Sequence, residues 1–227
     1  MIIRLAVSLL LAALPIAAAS AQPAAQTAAY DIIGIDGTPV LNHIVPVDAG
    51  NEIKKLPDVV SVGNRQGDVT IYEFYDLNCP YCRKASIDLR AMLAADKKLD
   101  LVLVPFPVLG VASIQAGRVE FAVARLASPL KFYLFHQKMF SARGVNDGER
   151  ALAVAQELGL ARDKVLALAN AESVTDAMKA HVALGDEYDM QATPSLIVQD
   201  VAIIGYPGRE ALEKIVAAVR RCGKAAC

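Results

Sequence analysis

Apolar positions along the chain change from a period of two to a helical period and back, and each change marks a boundary. Val69-Thr70-Ile71-Tyr72-Glu73-Phe74-Tyr75 is a nearly unbroken apolar run after the turn Asn64-Arg65-Gln66-Gly67-Asp68, the pattern of a buried strand. From Cys79 to about Ala95 the pattern becomes helical, with Cys82, Ser86, Leu89 and Leu93 along one stripe. Asn78 is placed to cap this helix, and Pro80 stands where a first-turn proline is tolerated. Leu99-Asp100-Leu101-Val102-Leu103-Val104-Pro105-Phe106 is a second apolar strand. Strand, helix and strand without a Gly-rich phosphate loop make a βαβ unit that is not built for nucleotides.

From Ala112 to about Tyr188 every strong pattern is helical. The segments are Ala112–Ala127, Leu130–Phe140, Asp147–Leu158, Arg162–Ala169 and Ser173–Asp189, broken by Ser128-Pro129, Gly144, Gly159 and Asn170. Thr193-Pro194 then introduces Ser195–Val198, a turn at Gln199-Asp200, and Val201–Gly205, which read as an antiparallel hairpin. A last helix, Gly208 to about Arg221, closes the body. At the other end, Asp31–Ile35 and Thr38–Leu41 flank Asp36-Gly37, as either a small hairpin or an irregular arm lying on the main domain. Pro46, Gly50 and Pro57 break up the stretch after Leu41, so residues 22–60 are an extension that packs on the body or helps form oligomers.

The N-terminus changes the picture of where the protein works. Arg4 precedes an apolar segment, Leu5 to Ala19, and Ala19-Ser20-Ala21 fits the small-x-small rule for signal peptidase. The apolar run is short of the ~20 residues a spanning helix needs, so cleavage after Ala21 is expected rather than an anchor. The formal net charge over 227 residues is −1. With no Lys/Arg run or aromatic–basic interleaving, nothing points to nucleic acid.

Four cysteines lie beyond the cleavage site: Cys79, Cys82, Cys222 and Cys227. An even number in an exported chain favours disulfides, and of the three possible pairings the local one, 79 with 82 and 222 with 227, needs the least chain closure. A helix that begins at Cys79 aims its unpaired N–H groups and the positive end of its dipole at that sulfur, which favours the thiolate. Cys82, one turn later, can attack the same sulfur. Read as a zinc half-site, the pair would need partners among Cys222, Cys227, His43, His136 and His181, which form no second tight pair. No metal and no cofactor is therefore expected, and the three histidines read as solvated or packing residues. Arg83 and Lys84 read mostly as a solvated helix face. Glu73 is the one charge inside an apolar strand, with Ile71 and Tyr75 on its own face; equally apolar neighbouring strands place it in the interior rather than in water. Cys222 and Cys227 enclose a short tail loop, as a structural disulfide or else a regulatory or metal-binding pair.

The order of elements and the motif together resemble the DsbA-like branch of the thioredoxin superfamily, over roughly residues 60 to 221. Asp68–Asp76 leading into Asn78-Cys79-Pro80-Tyr81-Cys82-Arg83 looks most like its exported Com1-like and suppressor-of-copper-sensitivity proteins. The resemblance implies an α/β thioredoxin fold, βαβ then ββα, with an all-helical insertion at about 110–190. With the readings above, the chain divides into a signal peptide at 1–21, an extension at 22–60, the domain at 61–221 and a tail at 222–227. The resemblance makes Cys79 the exposed nucleophile and Cys82 the more buried resolving thiol, with Pro80 and Tyr81 tuning the pair. It places Glu73 beneath the active site, where it affects the thiol pKa values and helps move a proton. It also makes Pro194 cis and facing the cysteines, with Thr193 offering backbone groups to an extended substrate segment.

Strongly oxidising members carry a His where Tyr81 stands. Pro80-Tyr81 is instead similar to glutaredoxins and DsbG-type exported proteins. The expected function is an exported, periplasmic thiol–disulfide oxidoreductase, foremost a dithiol oxidase. Its expected partners are cysteine-containing exported proteins and a membrane or soluble redox partner that resets the pair. The alternatives are a disulfide isomerase or reductase, a copper(I)-handling thiol protein, and a surface protein in which both disulfides are staples.

Overall fold

The computed structural model describes residues 28–227; the expected signal peptide, 1–21, and the first residues of the extension, 22–27, lie outside the described residues. In chain order the elements are β1 (Asn42–Ile44), α1 (Ala49–Lys55), β2 (Val60–Gly63), β3 (Val69–Tyr75), α2 (Pro80–Ala95) and β4 (Leu99–Pro105). Five helices come next: α3 (Val111–Leu126), α4 (Pro129–Ser141), α5 (Gly148–Glu157), α6 (Arg162–Ala169) and α7 (Glu172–Glu187). The chain closes with β5 (Ser195–Val198), β6 (Val201–Ile204) and α8 (Arg209–Cys222). This is the expected α/β architecture, βαβ and ββα around a helical insertion.

The strands form one sheet in the order β1-β6-β5-β3-β4-β2. Only β3 and β4 run parallel, as the α2 crossover requires; every other pairing is antiparallel. Both faces of the sheet are covered, which is why β3 and β4 are apolar without alternation. Ile71 and Tyr75 of β3 and Leu99, Leu101 and Leu103 of β4 face one core, shared with α2, α8 and helices α3 to α6. Tyr72, Phe74, Val102 and Val104 face the other, against Ile53 of α1, Phe106 and Tyr188. Gly185 of α7 lets the helix lie directly on the Phe106 ring: a Cβ there would fall 2.5 Å from a ring carbon.

In the N-terminal region one open reading is resolved and two expectations need correction. Of the two readings of Asp31–Leu41, the small hairpin is the one found: Ile33 bridges Pro39 antiparallel, with Gly34 N–H donating to Thr38 O and Val40 N–H to Ile32 O (2.8 Å each). Buried Asn42 ties its ends down: the Asn42 amide donates to the carbonyls of Tyr30 (2.8 Å) and Val40 (2.9 Å), and its Oδ1 accepts from Tyr30 N–H (2.8 Å). The stretch punctuated by Pro46, Gly50 and Pro57 contains helix α1, in which Gly50 leaves room for the Tyr72 hydroxyl. Val60–Gly63 was not expected as a strand; as β2 it pairs with β4, and its two valines point inward on alternate residues. The extension thus joins the sheet at β1, the edge beyond β6.

Candidate active site

The site begins where β3 ends. Asp76 is buried, and its carboxylate gathers the loops around it. It accepts from Asn78 N–H (2.7 Å), from the N–H groups of Val108 and Leu109 (2.9 Å each) and from the Ser113 hydroxyl (2.8 Å). Asn78 continues the network into the helical insertion. Its amide donates to Ser113 Oγ (3.0 Å) and Asn146 O (2.9 Å), while Oδ1 accepts from Asn146 N–H (2.7 Å). Asn146 in turn donates to the carbonyls of Leu77 (2.7 Å) and Met139 (3.2 Å). Asn78 is therefore a tie between subdomains and not the helix cap expected of it. The cap is Cys79, in extended conformation, whose sulfur accepts from Cys82 N–H at 3.2 Å; Pro80 takes the first helical position.

Cys79 and Cys82 are both thiols here. Hydrogen bonding to the Cys82 thiol, opposed by burial and helped by the Thr193 side chain and the N–H groups of Cys82 and Tyr81, lowers the Cys79 pKa to about 6. Burial, followed by the hydrogen bond and charge of Cys79, pushes Cys82 far upward. The pair is thus divided into a ready thiolate and a thiol that holds its proton.

Cys79 was expected to be exposed, yet it is 4% accessible, while Tyr81 beside it is 62% accessible. The reason is the loop above it: the Cys79 thiol donates to Thr193 O at 3.0 Å, and the Thr193–Pro194 peptide is cis. That loop is steadied by Ser195, whose hydroxyl donates to Ala192 O (2.7 Å).

Glu73 lies beneath the pair, fully buried, with neither carboxyl oxygen hydrogen-bonded. Burial, then the charges of Cys79 and Glu120, push its pKa up to about 8. Glu120, on α3, is a second buried acid, absent from the residues expected at the site. Its Oε1 accepts from the Tyr75 hydroxyl at 2.8 Å, and burial raises its pKa to about 8 against the lowering effect of that bond. A lone charge inside Val119-Glu120-Phe121-Ala122-Val123 is the signal that marks it in the sequence.

Arg83 is not solvated as expected: its guanidinium donates to the carbonyls of Phe140 and Ala142, binding α2 to the end of α4. Lys84 pairs with Asp88 at 2.6 Å. His136 is buried against Tyr75 and Phe140, and burial lowers its pKa to about 3. His181 is held between the carbonyls of Pro105 (2.8 Å) and Pro57 (2.7 Å), and His43 contacts Tyr188 O (3.0 Å). Among the described residues no cluster could hold a metal ion, and no helix is long and apolar enough to cross a membrane. Cys222 and Cys227 form a disulfide away from this site, and Cys227 lines a groove with residues 31–35 and α8.

A family model described as thioredoxin matches residues 55–218. No curated protein sequence matches the chain. Among solved structures, a thioredoxin-like oxidoreductase from Silicibacter pomeroyi DSS-3 superposes with a TM-score of 0.70 at 29% identity, covering 78% of this chain and 99% of that one. The thiol-disulfide exchange protein α-DsbA2 from Wolbachia pipientis gives 0.68 at 24% identity, with 76% and 92% covered. The catalytic domain of Proteus mirabilis ScsC gives 0.66 at 18% identity, with 75% and 95% covered. With most of its length matched and a Cys-x-x-Cys pair at the start of α2, the chain belongs to the thioredoxin family.

Proposed function

We propose that this protein is an exported dithiol oxidase that passes its Cys79–Cys82 disulfide to cysteines of other exported proteins. The observation that carries the reading is the hydrogen bonding at Cys79. Several donors converge on one sulfur and lower its pKa to about 6 although Tyr81 brings no positive charge. A stabilised Cys79 thiolate is a good leaving group and favours the reduced enzyme, which makes the disulfide form oxidising.

In this direction a substrate thiolate attacks Cys79 Sγ, the Cys79–Cys82 bond breaks, and Cys82 leaves as a thiolate. Buried Cys82 then takes a proton, and Glu73 is the acid beneath it able to supply one. A second substrate thiolate attacks the substrate sulfur of the mixed disulfide and expels Cys79 as its stable thiolate. The substrate has lost two electrons and gained a disulfide, and the enzyme holds both electrons as a dithiol. A redox partner, membrane-bound or soluble, removes them. In this reading Thr193, beside the cis Pro194, offers its backbone to an extended segment of substrate.

Export to the periplasm is supported by the N-terminal Arg4–Ala21 pattern and suits a disulfide such as Cys222–Cys227. The reading is tested by oxidative refolding of a reduced, disulfide-requiring substrate. Catalytic amounts of oxidised protein should restore substrate activity, and Cys79→Ser should not; equal recovery with both would end the proposal. A second reading, isomerase or reductase, is favoured by the uncharged Tyr81. It requires that scrambled substrate be rescued faster than reduced substrate.

A further inference from the structure

The helical insertion contributes a carboxyl group to the core beneath the cysteines, and the exchange steps at Cys79 and Cys82 make no use of it. Glu120 and Glu73 are both buried in one apolar core, and among the described residues neither has an ion-pair partner. They are not equivalent. Glu120 accepts a hydrogen bond from Tyr75 at 2.8 Å, whereas both oxygens of Glu73 are without one. Tyr75 and Glu73 are alternate residues of β3 on the same face, so the hydrogen-bonded acid and the bare acid adjoin along one strand.

We propose that Glu120 is a positioning residue: held by Tyr75, it takes the first negative charge of the buried carboxyl pair, and by that charge keeps Glu73 protonated beside Cys82. The inference rests on the reading of Glu73 as the proton donor to Cys82. Two like charges in one apolar site repel, so once one acid ionises the other is held neutral. A donated hydrogen bond favours ionisation of the acid that receives it. Glu120 is that acid, and Glu73 is left loaded with the proton the departing Cys82 thiolate needs. As pH rises past neutrality, Glu120 gives up its proton ahead of Glu73 and so extends the working range of Glu73 on the alkaline side.

Of the surrounding charges, the one acting on Glu73 favours this order and the one acting on Glu120 opposes it. Facing the pair are Asp76 at the end of β3, Cys79 and Cys82 from α2, Tyr133 and His136 from α4, and Tyr206 from the segment before α8. Asp76 acts on Glu120, and Cys79 acts on Glu73, each as a like charge. His136 lies edge-on to Tyr75 with ring centroids 4.6 Å apart, and its lowered pKa keeps it neutral and unable to supply a compensating cation. Asp88, Lys84, Arg90 and Arg209 act on neighbouring groups rather than on the pair itself.

The test is carboxyl titration by 13C NMR on the reduced full chain with labelled glutamate, using Glu73→Gln and Glu120→Gln to assign the two signals. In the wild type Glu120 should titrate first. In Glu120→Gln, which retains an acceptor for Tyr75, the Glu73 midpoint should fall by about one pH unit or more. The alkaline limb of the rate at which oxidised protein reacts with a cysteine peptide should move down equally. Should Glu120→Gln fail to fold, Tyr75→Phe serves: losing the hydrogen bond should raise the Glu120 midpoint and narrow or reverse the order. A Glu73 midpoint unchanged in Glu120→Gln, or Glu120 titrating after Glu73 in the wild type, overturns the inference while leaving Glu73's role standing. If instead Glu73→Gln keeps the alkaline limb, the proton-donor reading falls, and the midpoint shift still decides whether Glu120 governs Glu73.

Discussion

Asn78 and Asn146 are hydrogen-bonded in both directions: Asn146 N–H donates to Asn78 Oδ1 at 2.7 Å, and Asn78 Nδ2 donates to Asn146 O at 2.9 Å. Asn78, directly before Cys79, is therefore fastened to the backbone between α4 and α5. The active-site loop and the helical insertion form one unit, with Asp76 and Ser113 completing the network.

Asn78→Ala breaks both bonds and leaves Asn146 N–H without its acceptor. A loss of about 1–3 kcal/mol of folding stability is expected, read as a lower urea midpoint at constant slope. A midpoint equal to wild type would show that water replaces the tie at no cost.

The two cysteines should separate cleanly in a trapping experiment. Cys82→Ser leaves the reactive Cys79 thiolate without a resolving partner, so mixed disulfides with substrate accumulate and appear as reductant-sensitive adducts on gels. Cys79→Ser should give none, because burial holds Cys82 protonated.

Thiolate absorbance near 240 nm should titrate with a midpoint near the lowered Cys79 value of about 6. The Cys79 pKa is depressed below its unfolded value, so its contribution to the stability of the reduced protein is present above the unfolded pKa. It is lost as pH falls through about 6. The oxidised protein lacks this contribution, so reduced and oxidised forms should converge in stability under acid.

The buried acids carry the opposite sign. Glu73 and Glu120 are raised from 4.5 to about 8, so the stability they contribute is complete below pH 4.5 and is lost as pH rises through about 8. Glu73→Gln should flatten the decline between pH 5 and 8 by about 1 kcal/mol or more, as measured by denaturant unfolding at both pH values.

The Cys222–Cys227 disulfide closes a short loop and places Ala225 in the core at the end of α8. Changing both cysteines to serine should cost about 2 kcal/mol through the freed unfolded chain. The exchange rate at Cys79 should be unaffected, since the two sulfurs make polar contact only with the tail itself and Ala218 of α8 among the described residues.

Much of this site could be read in the sequence because its chemistry is local. Cys79, Cys82 and the Thr193-Pro194 pair are written as short motifs, and Glu73 stands out as a charge in an apolar strand. The roles of Asp76 and Asn146 could not be read, since the partners that tie them to the other subdomain lie 32 to 69 residues away. The low exposure of Cys79 was hidden for the same reason: the Thr193 carbonyl that covers it arrives from 114 residues downstream. Strand β1 was hidden because Asn42–Ile44 is only three residues long and its pairing partner, β6, lies about 160 residues downstream.

The most direct test of an oxidising Cys79–Cys82 pair is its equilibrium with reduced and oxidised glutathione. Stabilisation of the Cys79 thiolate without a positive charge at Tyr81 predicts a potential between those of DsbA, about −120 mV, and protein disulfide isomerase, about −180 mV. A value near that of thioredoxin, about −270 mV, would contradict the oxidase account and make the protein a reductant.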